Sequence, residues 1–310
     1  MLARINVIAL NTYREAVRAR VLHGLFGLAI ATGGYSLVVG AYALRNHQRV
    51  VSDLGAASIS IYGIIVAVVL GASSLYQELE LKTIFPILTR PLRRWEYLVG
   101  KFVGTLLTLF VFITMNSGAL LLALATLADR PLWAVVGTFA VLVLASLALG
   151  LRWPRIRVYV PIGLALALCI AGFVLASGAV DDRRVILASA LLTLLEVGIV
   201  AAIATVFAAF SSPFLTAVFT FSVFIVGRSA DALARLPERV FGEGIAKLGM
   251  ALSQVFPNLM FYVPPRSLLT GETAATSLSD HLLLAAGQAM AWMVGLLSLA
   301  ALIFRRRDFL

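Results

Sequence analysis

Long apolar stretches that carry almost no charge recur along the chain and leave few ways for it to fold. A helix needs about 20 apolar residues to cross the hydrocarbon core of a bilayer. Stretches of about this length lie near residues 21–44, 54–75, 98–128, 132–151, 158–180, 185–210, 214–230 and 281–304. Charged residues make up only 13% of the sequence, roughly half their share in a soluble domain. A soluble enzyme, a disordered chain and a coiled coil are therefore excluded. The sequence predicts an all-α polytopic membrane bundle of about eight transmembrane helices, forming a single domain over residues 1–310.

The first 20 residues differ from the rest, because polar and apolar positions alternate there with helical spacing. Ile5, Ala9 and Tyr13 fall on one side of a helix over residues 4–20, whereas Arg14 and Arg18 fall between them. Such an amphipathic helix lies in the membrane interface. We therefore predict an N-terminal interfacial helix. We also expect the apolar run that follows it to be a retained span and not a cleaved secretory signal.

Lysine and arginine collect in the loops that stay in the cytoplasm, so their distribution predicts the orientation of the chain. With the N-terminus inside, the cytoplasmic segments are 1–20, 76–101, 152–157 and 305–310, and they hold 15 Lys and Arg residues against 5 acids. The external loops hold 10 against 9. Both termini are thus predicted to be cytoplasmic. This topology also explains the net charge of +10 without a nucleic-acid partner.

The cytoplasmic segment 76–97 gathers charged residues around a short apolar group. Pro86 and Pro91 interrupt it as helix breakers. We predict a short helix, a break near Pro91, and then a helix that Trp95 and Tyr97 anchor at the membrane interface. A protruding helix with charged flanks is suited to dock into a groove on a cytosolic partner.

The external segment 231–280 contains two amphipathic pieces, residues 232–241 and 245–256. Pro257, Pro264 and Pro265 follow them. The pattern predicts two short helices at the outer face and then a proline-rich turn. Two roles stay open for this segment: a lid over the outer face, and a docking surface for an extracytoplasmic partner.

A series of residues around the cytoplasmic segment has the spacing of a known family motif. It consists of Glu78, Thr83, Leu88, Pro91, Arg93, Arg94, Tyr97, Gly100, Lys101 and Gly104. This series resembles the coupling-helix region of type-2 ABC transporter permeases. The N-terminal helix is similar to the connecting helix of that family, and the basic residues 305–307 resemble its C-terminus. Pro257-Asn258-Leu259, before the last predicted span, resembles the sequence found in the family branch that is associated with multicopper-enzyme maturation.

The resemblance implies an exporter-like transmembrane permease subunit of a prokaryotic cytoplasmic (inner) membrane. Such a subunit would form a homodimer, or pair with a similar subunit, and would bind two copies of a separate ABC ATPase subunit. It would be non-catalytic and carry no cofactor, because ATP and Mg would bind to the partner ATPase. The residues implied in ATPase coupling are Glu78, Glu80, Lys82, Thr83, Arg90, Arg93 and Arg94, with further contacts from Arg14 and Arg18 on the interfacial helix.

Two sequence features bear on this interpretation. No G-x-x-x-x-G-K-[ST] phosphate-binding loop occurs in the chain, so the ATPase would be a separate polypeptide. Gly100 and Gly104 have the G-x-x-x-G spacing that lets two helices pack closely. Because the related permeases usually have six spans, the stretches near 132–151 and 158–180 look like an inserted pair.

Glu196 is the one acid that we place inside a span, where a buried charge is costly. Three roles stay open for it: a hydrogen bond between helices, a position on the transport path, and proton coupling. The last would make the chain a proton-coupled secondary transporter. Within the permease class, the complex could also transmit force to an external assembly instead of moving a small molecule.

Enzymatic and metal-binding functions find little support in the sequence. A membrane-embedded transferase would need a polar catalytic cluster at one membrane face, and the sequence offers none. His23, His47 and His281 are far apart in the chain, and Cys169 is the single cysteine. We therefore expect no metal site.

Overall fold

The computed structural model describes residues 2–43, 46–80, 93–128, 130–272 and 277–306. These ranges contain helices and no strand, which confirms the predicted all-α fold. The helices are α1 (Leu2–Arg18), α2 (Arg20–Ala41), α3 (His47–Glu80), α4 (Arg94–Thr126), α5 (Leu132–Arg152), α6 (Val160–Leu175), α7 (Val180–Ala208), α8 (Pro213–Arg228), α9 (Ala230–Ala234), α10 (Glu238–Phe241), α11 (Glu243–Val255), α12 (Arg266–Thr270) and α13 (Leu278–Arg306).

The long apolar helices match the predicted spans. Within the described ranges, 7 helices are long and apolar enough to cross a membrane, namely α2, α3, α4, α5, α6, α7 and α13. The shorter apolar helix α8 has 16 residues and corresponds to the predicted stretch 214–230. The chain is therefore a multi-pass membrane protein, and the prediction of a polytopic bundle is confirmed.

The centre of the bundle is formed by α4 and α7. Leu109 and Leu121 of α4 and Leu192 and Ile199 of α7 are fully buried. Both helices also bury small residues, which lets their neighbours approach closely. Van der Waals packing between close helices is the main attraction inside a bilayer, because lipid tails are as apolar as the side chains.

Helix α3 packs on both central helices and runs parallel to α7 and antiparallel to α4. Its early residue Gly55 lies against Leu120, which is late in α4, and its later residue Gly71 lies against Ala204, which is late in α7. A Cβ atom at Gly71 would be 2.4 Å from the Cβ of Ala204. Only glycine allows this contact, so a side chain there would push α3 and α7 apart.

Helices α2 and α5 lie at the periphery. Val135 is the one buried residue of α5, and most of the other large apolar side chains on that helix, including Trp133, Leu144 and Leu151, are exposed. Exposed apolar side chains on an outer helix of a membrane bundle contact either lipid tails or another subunit. Of the two helices that the sequence suggested as an insertion, α5 is thus an outer helix, whereas α6 packs directly against α4.

The bundle has two ends, which we name after one arginine each. The Arg94 face contains the start of α4 and the ends of α7 and α13, with Arg94, Ala209 and Phe304. The Arg266 face contains the starts of α3 and α7, with Ser52, Asp182 and Arg266. Helix α7 therefore connects one face to the other, from Asp182 near its start to Val206 near its end.

Helix α8 starts at the Arg94 face but stops inside the bundle. Its last residue, Arg228, contacts Glu196 of α7, which is 14 residues from Asp182 along that helix. This separation is about 21 Å at 1.5 Å per residue. Residues 229–272 therefore lead from the level of Glu196 to the Arg266 face, and they do so through short helices instead of one long helix. Pro237 separates α9 from α10, so the predicted single helix over 232–241 is split in two.

Candidate functional site at the Arg94 face

The predicted coupling segment joins two central helices of the bundle. Helix α3 continues to Glu80 and α4 begins at Arg94, so both ends of segment 76–97 are parts of long helices. The backbone positions of Glu78 and Glu80 lie in the last turn of α3. The predicted short helix, with Lys82, Thr83 and Arg90, lies outside the described residues.

Arg94 links the start of α4 to the end of α13. Its guanidinium donates hydrogen bonds to the carbonyl oxygens of Phe304 and Arg305, at 3.4 and 3.1 Å. The last carbonyl groups of a helix have no partner within the helix and carry partial negative charge, so a cation stabilises them. The neighbouring Arg93 is exposed, and its backbone N–H donates to the carboxylate of Glu96 at 3.3 Å.

An apolar cluster supports this contact from inside. Tyr97 and Leu98 of α4 pack with Val206 of α7 and with Ala300 and Phe304 of α13. Phe304 is 1% exposed. Because close-packed side chains transmit displacement, movement at the start of α4 is expected to shift the ends of α7 and α13 as well.

Helix α1 packs along the first half of α4 through the G-x-x-x-G positions. A Cβ atom at Gly100 would lie 2.7 Å from the Cβ of Ile8, and one at Gly104 would lie 2.5 Å from the carbonyl oxygen of Ala9. The sequence indicated close packing at these glycines but did not identify α1 as the partner. The α1–α4 contact therefore ties the N-terminal helix to the helix that follows the coupling segment.

The buried and the exposed sides of α1 are those that its sequence predicts. Ile5, Ala9 and Tyr13 are buried against the bundle, and burial raises the pKa of Tyr13 to about 12. Arg14 and Arg18 are exposed. Arg14 Nη2 donates to the hydroxyl of Tyr159, before α6, at 3.5 Å. The charged side of α1 thus lies on the outside of the bundle.

Gly104→Leu is expected to detach α1 from α4. The new side chain would overlap the backbone of α1, and overpacking of this kind costs about 1–3 kcal/mol. Limited trypsin digestion of the solubilised protein should then cleave after Arg14 and Arg18 much faster than in the wild type. Gly137→Leu is the matched control, because a Cβ at Gly137 of α5 meets nothing within 4 Å. Unchanged digestion of the Gly104 variant would contradict the packing argument.

Inside the bundle, Glu196 is paired with Arg228. Glu196 is 0% exposed, and Arg228 Nη1 donates to its Oε1 atom. Ser60 of α3 is a neighbour of this carboxylate. Burial and, secondarily, the charge of Glu196 raise the pKa of Tyr262 to about 12. The sequence did not identify Arg228 as a partner, because the two residues are 32 positions apart.

At the Arg266 face, one arginine connects three parts of the chain. Arg266, at the start of α12, donates to Asp53 of α3 and to Asp182 of α7, and it donates to Ser52 Oγ at 3.1 Å. Ser52 in turn donates to Asp182 at 2.7 Å. This cluster, the Arg266 network, was not predicted. The proline-rich stretch before it and the acids at the helix starts were visible in the sequence, but their pairing was not.

Arg266→Ala is expected to destabilise the protein by about 2–3 kcal/mol. The substitution leaves the largely buried Asp182 without its cationic partner, and an unpaired buried charge is costly. Lys247→Ala is the matched control, because Lys247 pairs with Glu243 where both side chains are about 70% exposed, and such pairs contribute little. Denaturant titration of the solubilised protein measures the unfolding free energy of both variants. Equal losses of unfolding free energy would contradict a structural role of the network.

These features define a polytopic helical membrane protein whose central helices meet a charged segment at one face. Comparison with known protein families shows to which of them the chain belongs. The family model described as ABC-2 family transporter protein matches residues 7–309, which is nearly the whole chain, and the chain belongs to this family. None of the curated proteins compared is similar to it in sequence.

Family membership fixes the general role of the chain. It is a transmembrane subunit of an ABC transporter, a class whose membrane subunits are normally non-catalytic and associate with an ABC ATPase. The resemblance to the type-2 ABC permease family is thereby confirmed, while the roles of the coupling residues stay predictions. Within the described ranges, no group of three or more His, Cys, Asp or Glu residues is placed to hold a metal ion.

Proposed function

We propose that the chain is an exporter-like permease that couples ATP hydrolysis on a separate ATPase to movement across the membrane. The observation that carries the proposal is the mechanical connection at the Arg94 face. The coupling segment continues α3 on one side and α4 on the other. Arg94 then links α4 to α13, and Gly100 and Gly104 link α4 to α1. An ATPase that moves this segment would move four helices together.

The coupling residues receive their roles from this arrangement. Glu78, Glu80, Lys82, Thr83, Arg90 and Arg93 would contact the ATPase, while Arg94 would hold the segment to the bundle. Arg14 and Arg18 would add contacts from the exposed side of α1. The chain would carry out no chemistry itself, since ATP and Mg would bind only to the partner.

The assembly and orientation are also part of the proposal. Two copies of the permease would bind two ATPase subunits in a prokaryotic cytoplasmic membrane, as one domain over residues 1–310. The Arg94 face would be cytoplasmic, which is supported by the excess of Lys and Arg in the segments at that face. The Arg266 face and residues 229–272 would then lie on the external side.

A second candidate within the same class is force transmission to an external partner. Helix α3 favours it, because its first turns hold Ser52 and Asp53 of the Arg266 network and its last turn leads into the coupling segment. Displacement of α3 would therefore reach residues 229–272 on the opposite face. A partner bound stoichiometrically to this region would support force transmission, whereas ATPase activity stimulated by a soluble compound or lipid would support export.

The proton-coupled alternative is weakened by the surroundings of Glu196. A proton carrier must exchange protons with water on both sides of the membrane, but this carboxylate is fully buried and held by Arg228. A structural ion pair between α7 and α8 accounts for the same residue.

Co-expression with each candidate ABC ATPase of the same genome tests the proposal. The complex should purify with equal numbers of the two subunits and a mass that fits two copies of each, and the ATPase should hydrolyse ATP at a different rate when bound. A permease that purifies alone from such cells, as a monomer active without ATP, would overturn the proposal.

A further inference from the structure

The turn that joins α5 to α6, residues 152–159, carries arginines and exposed aromatic side chains. It is short, since α5 ends at its first residue and α6 begins directly after its last. The backbone N–H of Ile156 donates to the carbonyl of Trp153 at 3.1 Å, and that of Tyr159 donates to Ile156 at 2.8 Å. These successive tight turns keep the α5–α6 turn close to the ends of its two helices.

The charge of the α5–α6 turn is positive and has no local counterpart. Arg152, Arg155 and Arg157 are all exposed, and the ion pairs in the described part of the chain involve other residues. The sequence contains no acid from residue 131 to residue 180. Three guanidinium groups are therefore available to a negatively charged partner.

Helix α1 adds positive charge beside this turn. Arg14 Nη2 donates to the hydroxyl of Tyr159 at 3.5 Å, which places a fourth guanidinium at the edge of the turn. Glu15 is the acid on this helix, and its carboxylate accepts a hydrogen bond from Asn11 at 2.8 Å. The surface that α1 and the turn form together thus stays positive.

The position of the turn along α4 places it at the level of the lipid headgroups. Val158 of the turn and Leu107 of α4 pack on the same buried cluster. Leu107 is 13 residues from Arg94, so the turn is recessed from the Arg94 face by about 20 Å at 1.5 Å per residue. From Leu107 to Thr126, near which α6 also ends at Gly178, α4 rises about 29 Å, close to the hydrocarbon thickness of a bilayer. The turn therefore lies where this hydrocarbon layer ends.

The side chains of the turn suit this position. Trp153 and Tyr159 are exposed, and such aromatic residues are typical of the boundary between lipid and water. A Cβ atom at Gly150 would lie 3.7 Å from Cγ of Arg157, so the Arg157 stem runs along the end of α5 and its charged group can extend outward. A guanidinium matches the geometry of a phosphate, to which it can donate two hydrogen bonds.

We propose that the α5–α6 turn binds the headgroup of an anionic phospholipid, with the arginines donating to its phosphate. Basic clusters directly beside a membrane span bind such headgroups. An acidic surface of the ATPase is the competing partner, and the recess of about 20 Å from the Arg94 face disfavours it. The proposal depends neither on ATPase coupling nor on which leaflet contains the turn, so its failure would leave the proposed function unaffected.

Lipid titration of the detergent-solubilised full-length protein, followed by native mass spectrometry, tests this site. The probes are dioleoyl phosphatidylglycerol and dioleoyl phosphatidylcholine, which have the same chains, but the choline compensates the charge of the phosphate. The first phosphatidylglycerol should bind at least ten-fold more tightly than the first phosphatidylcholine. Excess glycerol phosphate, which has the headgroup chemistry without the chains, should not displace the bound lipid.

Two double variants locate the binding site. Arg155→Gln with Arg157→Gln should weaken phosphatidylglycerol binding about 30-fold, roughly five-fold for each arginine removed, and should leave phosphatidylcholine binding unchanged. Arg235→Gln with Arg239→Gln is the matched control, because it removes two exposed charges from the region of α9 and α10. It should leave the binding of both lipids unchanged.

Equal affinity of the wild type for the two lipids would overturn the proposal. So would unchanged phosphatidylglycerol binding in the Arg155 and Arg157 variant, or an equal loss in the control variant. Displacement by glycerol phosphate would identify a site for soluble phosphate instead. If the Arg155 and Arg157 variant kept the lipid but no longer co-purified with the ATPase, the turn would be an ATPase contact, and the proposal would be wrong.

Discussion

Arg228→Leu is expected to destabilise the protein by about 3–5 kcal/mol, the cost of leaving a buried charge without its partner. Glu196 is 0% exposed, and the substitution removes the guanidinium that pairs with its carboxylate. Glu196→Leu should cost less, because the Arg228 side chain is 29% exposed and can extend its charge toward a more polar region. Denaturant titration of the solubilised protein, followed by tryptophan fluorescence, measures both values.

The double variant Glu196→Leu with Arg228→Leu provides the control. Replacing a whole buried pair by apolar residues is often neutral or stabilising, so its stability should return to within about 1 kcal/mol of the wild type. A double variant as unstable as Arg228→Leu alone would contradict the ion-pair explanation. Activity adds a second readout: Glu196→Gln should keep ATP-dependent function, whereas a proton-coupled transporter would show uptake driven by a pH gradient without ATP, and this substitution would abolish it.

Reversing the charges of Glu78 and Arg93 should reduce the amount of ATPase that co-purifies by at least about ten-fold. If these side chains meet complementary charges on the ATPase, reversal brings like charges together, which costs several kcal/mol at an interface. The backbone of Glu78 lies in the last turn of α3, and the exposed Arg93 lies just before α4. We expect membrane insertion and folding to be unaffected. Co-purification at low and at physiological salt measures the effect.

Glu238→Arg with Arg239→Glu is the matched control for this reversal. These neighbours are exposed in α10, between α8 and the Arg266 network, and the exchange changes the same number of charges. It should leave ATPase binding intact. Normal ATPase binding by the Glu78 and Arg93 variant, or loss of binding in the α10 variant, would contradict the placement of the docking surface.

The sequence predicted the helices well because their signals are local. Apolar runs of span length give the long helices, and the spacing of Ile5, Ala9 and Tyr13 gives the buried side of α1. The G-x-x-x-G spacing of Gly100 and Gly104 likewise indicates a close helix contact. Each of these signals is contained within a few turns of helix, so no knowledge of the tertiary structure is needed to recognise it.

Partners in the folded chain could not be predicted in the same way. Arg266 and Asp182 are 84 positions apart. The residues around each of them give no sign that the two side chains pair. The apolar length of α8 suggested a span, but only its contact with Glu196 shows how far along α7 it reaches. The level of the α5–α6 turn along α4 likewise depends on how the helices pack, and one sequence does not specify that packing.

The central claim is that an ATPase binds the segment between α3 and α4, and site-specific photo-crosslinking tests it most directly. A benzoylphenylalanine placed at Glu80, and separately at Arg239, reports which soluble protein lies beside each position in membranes that contain the ATPase. We expect an ATPase adduct from position 80 whose yield changes when ATP is added, and none from position 239. An ATPase adduct from position 239, with none from position 80, would contradict the claim.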